Sequence, residues 1–425
     1  MTEPIDVRMQ AVARYLAVTI PVLLVLGRAA ADAGLSLTVI LFVTHCVRTG
    51  DWGWIKRPWF RVAFGIWVWL LVTSNFALDV ASAYSQAATW MRFLLFAAAA
   101  EHWLLDERWL RRLLVVTCVT LTLVAADTVL QYFHGVDLLG HPWFSPIRLT
   151  GPFTHPKVGA YMMRLLFPAA LGLWSWGALA PGRRWLSVPL GALVTFAVFL
   201  SGERMAFILT LFGMFLTAMV WVGLRRAALL TLAGVAVLTV VFFVGRSQIT
   251  VHRQFIATAQ GIAGFWNSDY GHLWRSGVKV GSARPITGVG MRNFRIACSR
   301  PGIGMPASFV SRCNLHPHNI YIEWFAESGI PGLLGFLLLV GTWFRRVWLI
   351  GKQARWPGWL LGPALGAFVY LWPFATTHGF FSNWNAVTFW LVLGWMLAAA
   401  RMAEEGRPLF AQKRGAPRTS VPPQL

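Results

Sequence analysis

Long apolar runs recur along the chain and are separated by much shorter polar segments. Two examples are WLSVPLGALVTFAVFL (185–200) and AALLTLAGVAVLTVVFFVG (227–245), and helical runs of about this length cross the hydrocarbon core of a bilayer. Because the backbone must satisfy its own hydrogen bonds within lipid, such uninterrupted runs predict helices. With 57% hydrophobic and 12% charged residues, the chain is predicted to be an all-α polytopic membrane protein.

The apolar runs predict twelve membrane-spanning helices. The first run has no small-residue cleavage site before the second, which favours a retained helix over a signal peptide. The basic, proline-rich end of the chain is expected to be a disordered tail. The predicted spans are 10–27, 32–47, 60–77, 86–104, 112–132, 159–179, 185–201, 205–223, 227–245, 330–349, 358–376 and 386–401.

The basic residues predict how these spans are oriented. Most of the 37 Lys and Arg fall at the two ends of the chain and in alternate short loops. Under the positive-inside rule these segments lie in the cytoplasm, so both termini are expected to be cytoplasmic. Topology accounts for much of the formal net charge of +21, and we therefore expect no nucleic-acid partner.

One polar segment, residues 246–319, is much longer than the others, and the count of spans places it on the outer face. It carries nine Lys or Arg against one acid, Asp269, and its length exempts it from the positive-inside rule. Such a surface predicts binding to anionic membrane lipids in general or to a phosphorylated ligand in particular. The predicted division of the chain is 1–245 with nine spans, 246–329 with the outer loop and the motif at its end, 330–401 with three spans, and the cytoplasmic tail 402–425.

A polar cluster, HPHN, ends this loop directly before an apolar segment. Pro317 restricts His316 to an extended conformation, and either His318 or Asn319 is placed to cap the following helix. The positive end of that helix favours a neutral imidazole at His318, which could accept a proton from a hydroxyl group. The alternative is a helix cap with a hydrogen-bonded interfacial histidine. Glu323 and Glu327 follow one helical turn apart, where they are expected to pair with loop arginines, or Glu323 to orient a catalytic group.

The turn SGER (201–204) joins the seventh and eighth predicted spans and carries Glu203 and Arg204 at the edge of the membrane. Charged side chains at that depth are costly unless they are paired or used. Arg204 falls in the first turn of a helix, where the helix dipole disfavours a cation, so we expect an anion to bind there. A salt bridge between Glu203 and an arginine is the competing explanation.

Further positive groups lie on the same outer face. Arg148 and Lys157 precede the sixth span, and Arg275 lies in the long loop. Arginine forks are well suited to a pyrophosphate. Arg164 lies inside the sixth span and must therefore face the interior of the helix bundle or a cavity.

The rest of the outer loop excludes some kinds of site and leaves another open. GVGMRNF (288–294), which contains Arg292, lacks a surrounding βαβ unit, so its glycines predict a tight turn rather than a dinucleotide site. No acidic pair is spaced to hold Mg²⁺, which disfavours a nucleotide-sugar enzyme and an ATP-driven pump. Cys298 and Cys313 are expected to form a disulfide if the loop lies outside the cytoplasm.

Several of these motifs resemble those of the O-antigen ligase and polymerase superfamily. HPHNIYIEWFAESGIPG (316–332) resembles the signature H-x-H-N-x-Y-x-x-x-x-A-E-x-G-x-x-G, and PITGVGMRNF (285–294) resembles P-x-x-G-x-G-x-x-N-F. The SGER turn and TGPFTHP (150–156) match in kind and in order. The resemblance covers most of the chain, including the predicted twelve helices and the large outer loop.

The resemblance implies a GT-C-like glycosyltransferase in a bacterial inner membrane, with a periplasmic active site and no metal, ATP or other cofactor. Its donor would be a glycan on undecaprenyl pyrophosphate. A ligase would use lipid A–core as acceptor, whereas a polymerase extends the glycan and a third branch glycosylates protein. The basic loop suits a phosphorylated lipid A–core, which favours the ligase. A secondary transporter is a further alternative, although the polar groups cluster at one face rather than mid-membrane.

Applied to these positions, the resemblance implies that His318 is the general base, deprotonating an acceptor sugar hydroxyl. Arg204 and Arg275 would stabilise the pyrophosphate leaving group. The other residues expected at the substrates are His316, Asn319, Tyr321, Arg148, Lys157, Arg292 and Glu203.

Overall fold

The computed structural model of the protein describes residues 5–177, 184–223, 234, 248–300, 313 and 316–407. Within these ranges the regular secondary structure is helical, and two isolated β-bridges stand outside it. The helices are α1 (Ile5–Leu26), α2 (Arg28–Thr49), α3 (Pro58–Ser74), α4 (Val80–Ala99), α5 (Glu107–His134), α6 (Val158–Gly177), α7 (Ser187–Leu200), α8 (Arg204–Val222), α9 (Gln248–Val251), α10 (Ala257–Ala263), α11 (Asp269–Ala283), α12 (Phe294–Cys298), α13 (Ile320–Ala354), α14 (Gly358–Tyr370) and α15 (Asn383–Glu404). Short turns of 3₁₀ or π helix occupy Gly53–Lys56, Ala100–Leu104, Arg184–Leu186, His252–Ile256 and Phe265–Asn267.

The predicted spans can be compared with these helices one by one. Among the described helices, α1, α2, α5, α8, α13 and α15 are long and apolar enough to cross a membrane, and three shorter apolar stretches accompany them. Each predicted span except the ninth corresponds to a described helix. The ninth, 227–245, lies almost entirely outside the described residues, as do residues 408–425 of the predicted tail. The chain is an all-α polytopic membrane protein.

Polar residues and glycines fix several of the helix ends. The side chains of Asp79 and Asp106 accept the backbone N–H groups of Ser82 and Trp109, at 3.0 and 3.1 Å, and so cap α4 and α5. Such caps satisfy donors that have no partner within the helix. At the other end of α5, Gly135 adopts φ 81°, a left-handed conformation that ends a helix at little steric cost in glycine.

Close backbone packing joins α6 to α14. Gly358, Gly362 and Gly366 recur every four residues along one side of α14. A Cβ atom at Gly362 would lie 2.5 Å from the carbonyl oxygen of Phe167, and one at Gly358 would lie 2.4 Å from that of Leu171. Small residues let membrane helices approach this closely, and dispersion contacts then stabilise the pair.

A buried ion network fixes the end of α13 that lies opposite the HPHN motif. Glu101 is 2% exposed and accepts hydrogen bonds from Trp59 Nε1 at 2.8 Å and from Arg346 Nη1 at 2.7 Å. Arg346 also donates two hydrogen bonds to Glu404, at 2.9 and 2.8 Å. The network therefore links α3, α13 and α15, and anchors the helix that carries the HPHN motif at its beginning.

The α6–α14 contact predicts a stability effect. Gly362→Ala places a methyl group against a main-chain oxygen, and overpacking of this kind costs about 1–3 kcal/mol. We expect thermal unfolding of the detergent-solubilised protein to shift to lower temperature by several degrees. Gly341→Ala is the matched control, because a Cβ there meets nothing within 4 Å. Equal unfolding temperatures for the two variants would contradict the proposed packing.

Candidate active site

The beginning of α13 is fastened to the segment that follows α14. Asn319 Oδ1 accepts the N–H groups of Tyr321 and Ile322 at 3.0 and 3.1 Å, and its Nδ2 donates to the carbonyl oxygen of Pro373 at 2.6 Å. The hydroxyl of Tyr321 donates to the carbonyl oxygen of Leu371 at 2.7 Å. Of the two residues that the sequence allowed as the cap, the structure uses Asn319, and the same side chain joins two segments of the site.

One carbonyl oxygen orients both histidines of the HPHN motif. His316 Nε2 lies 3.0 Å and His318 Nδ1 lies 2.9 Å from the carbonyl oxygen of Thr377. A carbonyl oxygen only accepts, so each of these ring nitrogens carries a hydrogen. A neutral His318 therefore has its lone pair on Nε2, and a neutral His316 has its lone pair on Nδ1. The N–H of Thr377 in turn donates to the carbonyl oxygen of His318 at 2.8 Å.

Both imidazoles are held in the neutral form. Burial lowers the pKa of His318 to about 4 and lowers the pKa of His316 well below its usual value. The sequence predicted a neutral His318 because of the helix dipole, whereas burial is the main cause in the structure. His318 also adopts φ 56°, a left-handed conformation that is costly for a non-glycine residue and is often found at functional sites.

The segment 371–380, between α14 and α15, contributes functional groups that the sequence analysis missed. It supplies the carbonyl of Thr377, and it also carries His378. Burial, then the positive charge of Arg164, the nearby ring of His318 and the charge of Arg148, lower the pKa of His378 to about 3. A histidine in a polar turn between two apolar helices, as in TTHGFF, is the signal that could have identified it.

The SGER turn packs against the loop before α6. Glu203 Oε1 accepts the N–H of Gly159 at 2.8 Å, and its Oε2 accepts the N–H of Ala160 at 3.1 Å. The carboxylate thus lies at the positive end of α6, where a negative charge is stabilising. The carbonyl oxygen of Ser201 accepts the N–H of Leu149 at 3.1 Å. The turn and the TGPFTHP loop therefore form one unit, and the two carboxylate oxygens of Glu203 are bonded to backbone.

Three arginines, which we call the arginine cluster, meet beside this turn: Arg148, Arg204 and Arg253. Arg204 Nη1 donates to the carbonyl oxygen of Ala257 at 2.9 Å, and Arg253 Nε donates to that of Gly202 at 2.9 Å. Burial, followed by the charges of Arg148 and Arg204, lowers the pKa of Arg253. The Nε of Arg148 is buried and has no hydrogen-bond partner among the described residues. Mutually repelling guanidinium groups of this kind favour a bound anion.

Helix α11 presents Tyr270, rather than Arg275, to the imidazoles. The rings of Tyr270 and His318 pack edge to face with centroids 5.2 Å apart, and the Tyr270 hydroxyl interacts electrostatically with Arg253. Arg275 follows five residues later, on another side of the helix. It is exposed, donates to the carbonyl oxygen of Trp266 and lies 5.6 Å from the Trp266 ring.

Two cations near the beginning of α6 pack on aromatic rings. Lys157 Nζ lies 4.6 Å from the ring of Trp384, and burial followed by the charge of Arg28 lowers its pKa. Arg164 is 3% exposed, as its position inside a predicted span required. Its guanidinium lies 4.4 Å from the ring of Tyr370. Cation–π contacts stabilise such buried charges.

Residues 189–337 match the family model described as O-antigen ligase. The matched range begins in α7 and ends in α13, so it includes the SGER turn, Tyr270 and the HPHN motif. This match identifies residues 189–337 as a domain of the O-antigen ligase superfamily. A search among curated proteins found no match. The superfamily match applies equally to ligases and to polymerases.

PITGVGMRNF (285–294) is joined to α13 at the end of the HPHNIYIEWFAESGIPG motif. Gly329 interrupts α13 with φ 73°, and a Cβ there would lie 2.1 Å from the carbonyl oxygen of Ile286. The N–H of Ile330 donates to the carbonyl oxygen of Pro285 at 2.7 Å, and that of Gly290 donates to the carbonyl oxygen of Glu327 at 3.0 Å. PITGVGMRNF is therefore hydrogen-bonded to α13 on both sides of the break at Gly329.

Acidic side chains of the O-antigen ligase domain hold backbone in place. Glu327 Oε2 accepts the N–H of Arg292 at 2.6 Å, and its Oε1 accepts that of Phe294 at 3.3 Å. Glu323 Oε2 accepts the N–H of Phe380 at 2.7 Å. The sequence analysis expected Glu323 to pair with an arginine or to orient a catalytic group, and the structure uses it to fix segment 371–380. In the described ranges, no group of three or more His, Cys, Asp or Glu is arranged to hold a metal ion.

A disulfide lies just before the HPHN motif in the chain. Cys298 and Cys313 are bonded, with their Cα atoms 5.5 Å apart. Cys298 ends α12 and is fully buried beside Ser276 of α11. The bond thus ties the chain three residues before His316 to the outer helices of the domain.

The arginine cluster predicts that the domain binds a diphosphate anion. We expect Arg253→Gln to weaken binding of inorganic pyrophosphate by at least about tenfold, because charge-assisted hydrogen bonds contribute about 1.5–3 kcal/mol each. Arg275→Gln removes the same charge from the exposed side of α11 and serves as the matched comparison. Calorimetric titration of the detergent-solubilised protein measures both. A larger loss for Arg275→Gln would assign the anion to α11 instead.

Proposed function

We propose that this protein is an O-antigen ligase that transfers O-antigen glycan from undecaprenyl pyrophosphate to a sugar hydroxyl of lipid A–core. One observation carries the proposal: His318 is neutral, has its lone pair on Nε2 and shares Tyr270 as a neighbour with the arginine cluster. A base beside an anion-binding group is what glycosyl transfer from a diphosphate requires.

The reaction follows from these groups. Nε2 of His318 takes the proton of the acceptor hydroxyl as its oxygen attacks the anomeric carbon of the donor. The bond between that carbon and the pyrophosphate oxygen breaks, and undecaprenyl pyrophosphate leaves with the electron pair. Attack from the face opposite the leaving group inverts the anomeric configuration. The proton ends on His318, and the negative charge develops on the pyrophosphate, so neither a covalent nucleophile nor a metal is required.

The arginine cluster stabilises the pyrophosphate as its charge grows. Arg204 keeps the role that the resemblance implied for it, and the charges of Arg148 and Arg204 that act on Arg253 favour these three arginines ahead of Arg275. Preorganised cations contribute most when they are aimed at the atoms on which charge develops. Lys157 is retained as a phosphate contact at the edge of the site, and Arg292 as a contact for the phosphate of the acceptor. His316, Asn319 and Tyr321 position the base and segment 371–380, and Glu203 positions the loop before α6.

We further propose that the site faces the periplasm from the bacterial inner membrane, with both termini in the cytoplasm. The site residues support one common face, because they lie at or just before the beginnings of α6, α8, α13 and α15. The division into 1–245, 246–329, 330–401 and 402–425 fits this arrangement, since its second boundary falls at the break at Gly329. A donor that is anchored in the membrane by its lipid tail presents its diphosphate at the membrane surface, where these helices begin.

The identity of the acceptor substrate distinguishes a ligase from the other glycosyltransferases of the superfamily. A polymerase or a protein O-oligosaccharyltransferase would use the same base and the same leaving group. The basic outer surface, with Arg292 and Arg295 exposed, favours an acceptor that carries phosphate, as lipid A–core does. A secondary transporter is disfavoured because these polar groups meet at one end of the helices.

Reconstitution with defined substrates tests the proposed reaction. We expect the purified protein in liposomes to transfer glycan from undecaprenyl pyrophosphate to lipid A–core with EDTA present, as followed by gel mobility and mass spectrometry. Extension of the lipid-linked glycan without lipid A–core would assign the protein to the polymerases. Strict dependence on Mg²⁺ would contradict the mechanism.

The buried imidazole predicts an unusual pH profile. A base must be unprotonated, and the pKa of His318 is lowered to about 4. We therefore expect kcat/KM to stay level from about pH 8 to pH 5 and to fall tenfold per unit below about pH 4. His318→Ala should lower kcat by about 10²–10⁴-fold without changing thermal unfolding, and the exposed His134→Ala is its matched control. A fall that begins near pH 6.5 would show that the base is an ordinary exposed histidine.

A further inference from the structure

A cavity lies on the His316 side of the imidazole pair. It has a volume of about 110 Å³, and we call it the carboxylate cavity. Because water occupies about 30 Å³ in the liquid, the cavity has room for a few hydroxyl groups rather than for a glycan chain. Its polar lining is formed by Arg292, Arg295, His316, Glu323, Glu327 and Ser382.

The deep lining of the carboxylate cavity consists of the carboxyl groups of Glu323 and Glu327 and the ring of His316. Glu323 and Glu327 are 3% and 2% exposed, and each is oriented by the backbone N–H groups described above. His316 has its lone pair on Nδ1, since its Nε2–H is donated to Thr377. A Cβ built at Gly379 would lie 3.3 Å from His316 Nδ1 and 3.2 Å from Glu323 Oε1. The lone pair of His316 Nδ1 and a carboxyl oxygen of Glu323 therefore flank one point, where a hydroxyl group can bond to both.

The two sides of the imidazole pair thus differ in the hydrogen-bonding groups that they present. The rings of His316 and His318 are 4.2 Å apart. His318 adjoins Tyr270, which interacts with Arg253 of the arginine cluster, whereas His316 adjoins the buried carboxylates. A diphosphate, which only accepts hydrogen bonds, suits the arginine cluster, whereas His316 Nδ1 carries a lone pair and has no hydrogen to offer it. A sugar, whose hydroxyl groups donate, suits the carboxylates.

We propose that the carboxylate cavity is the acceptor subsite, where hydroxyl groups of the acceptor sugar donate to Glu323 and to His316 Nδ1. This inference rests on the proposed function and assigns the two substrates to opposite sides of the imidazole pair. The exposed guanidinium groups of Arg292 and Arg295 line the rim and add donors for the remaining sugar oxygens. The reacting hydroxyl then extends past His316 to Nε2 of His318, while the donor diphosphate stays at the arginine cluster.

Filling the cavity tests this assignment. Gly379→Ala places a methyl group between His316 and Glu323, and the backbone there is not in a conformation that requires glycine. We expect binding of purified lipid A–core to weaken at least tenfold and binding of undecaprenyl-pyrophosphate-linked glycan to change less than twofold. Thermophoresis of the full-length protein in nanodiscs measures both without turnover. Gly341→Ala is the matched control and should change neither affinity.

A second variant removes an acceptor without filling space. Glu323→Gln keeps one oxygen for the N–H of Phe380 and replaces the other by an amide nitrogen. We expect the same selective loss of lipid A–core binding, so the test survives if Gly379→Ala does not fold. Weaker donor binding with unchanged acceptor binding, or no change in either affinity, would overturn the subsite. Transfer by the unmodified protein is measured alongside, so its absence would count against the proposed function even where acceptor binding behaves as expected.

Discussion

The carbonyl oxygen of Thr377 is the group on which the candidate active site depends. It accepts N–H groups from His316 and His318 together, and so selects the tautomer of each ring and leaves one lone pair on each side of the pair. This oxygen stays in place because the N–H of Thr377 donates back to the carbonyl of His318. Asn319 and Tyr321 hold the same segment at Pro373 and Leu371. The lone pairs of His316 and His318 and the Asn319 cap are therefore set by contacts with one backbone segment.

Charge compensation explains why the arginines remain available. Glu203 is the nearest carboxylate in sequence to Arg204, and its two oxygens are bonded to the beginning of α6. Glu323 and Glu327 likewise bond to backbone. Each acid thus stabilises a loop or a helix end through backbone N–H groups, in addition to its electrostatic interactions with nearby arginines. Among the described residues Glu203 interacts with the charge of Arg148, and the three guanidinium groups of the arginine cluster outnumber it, which favours binding of an incoming anion.

The sequence predicted what depends on local pattern. Apolar runs identified the spans, helix-end chemistry identified Asn319 as a candidate cap, and burial of Arg164 followed from its position within a span. It did not predict contacts between distant segments. The carbonyl of Thr377 lies about sixty residues after the histidines and carries no side-chain signal. Tyr270 was missed because α11 has polar groups on more than one side, so periodicity does not show which side meets His318.

The break in α13 shows why two of the motifs occur together. Gly329 lets the helix bend, which exposes backbone groups that would be unsatisfied in lipid. PITGVGMRNF supplies their partners at Pro285 and Gly290, and Glu327 fixes the same loop through Arg292 and Phe294. Each motif thus supplies hydrogen-bond partners for the backbone or side chains of the other. The loop also places Arg292 at the rim of the carboxylate cavity, so the contact that makes the bend tolerable in a membrane also builds one wall of the site.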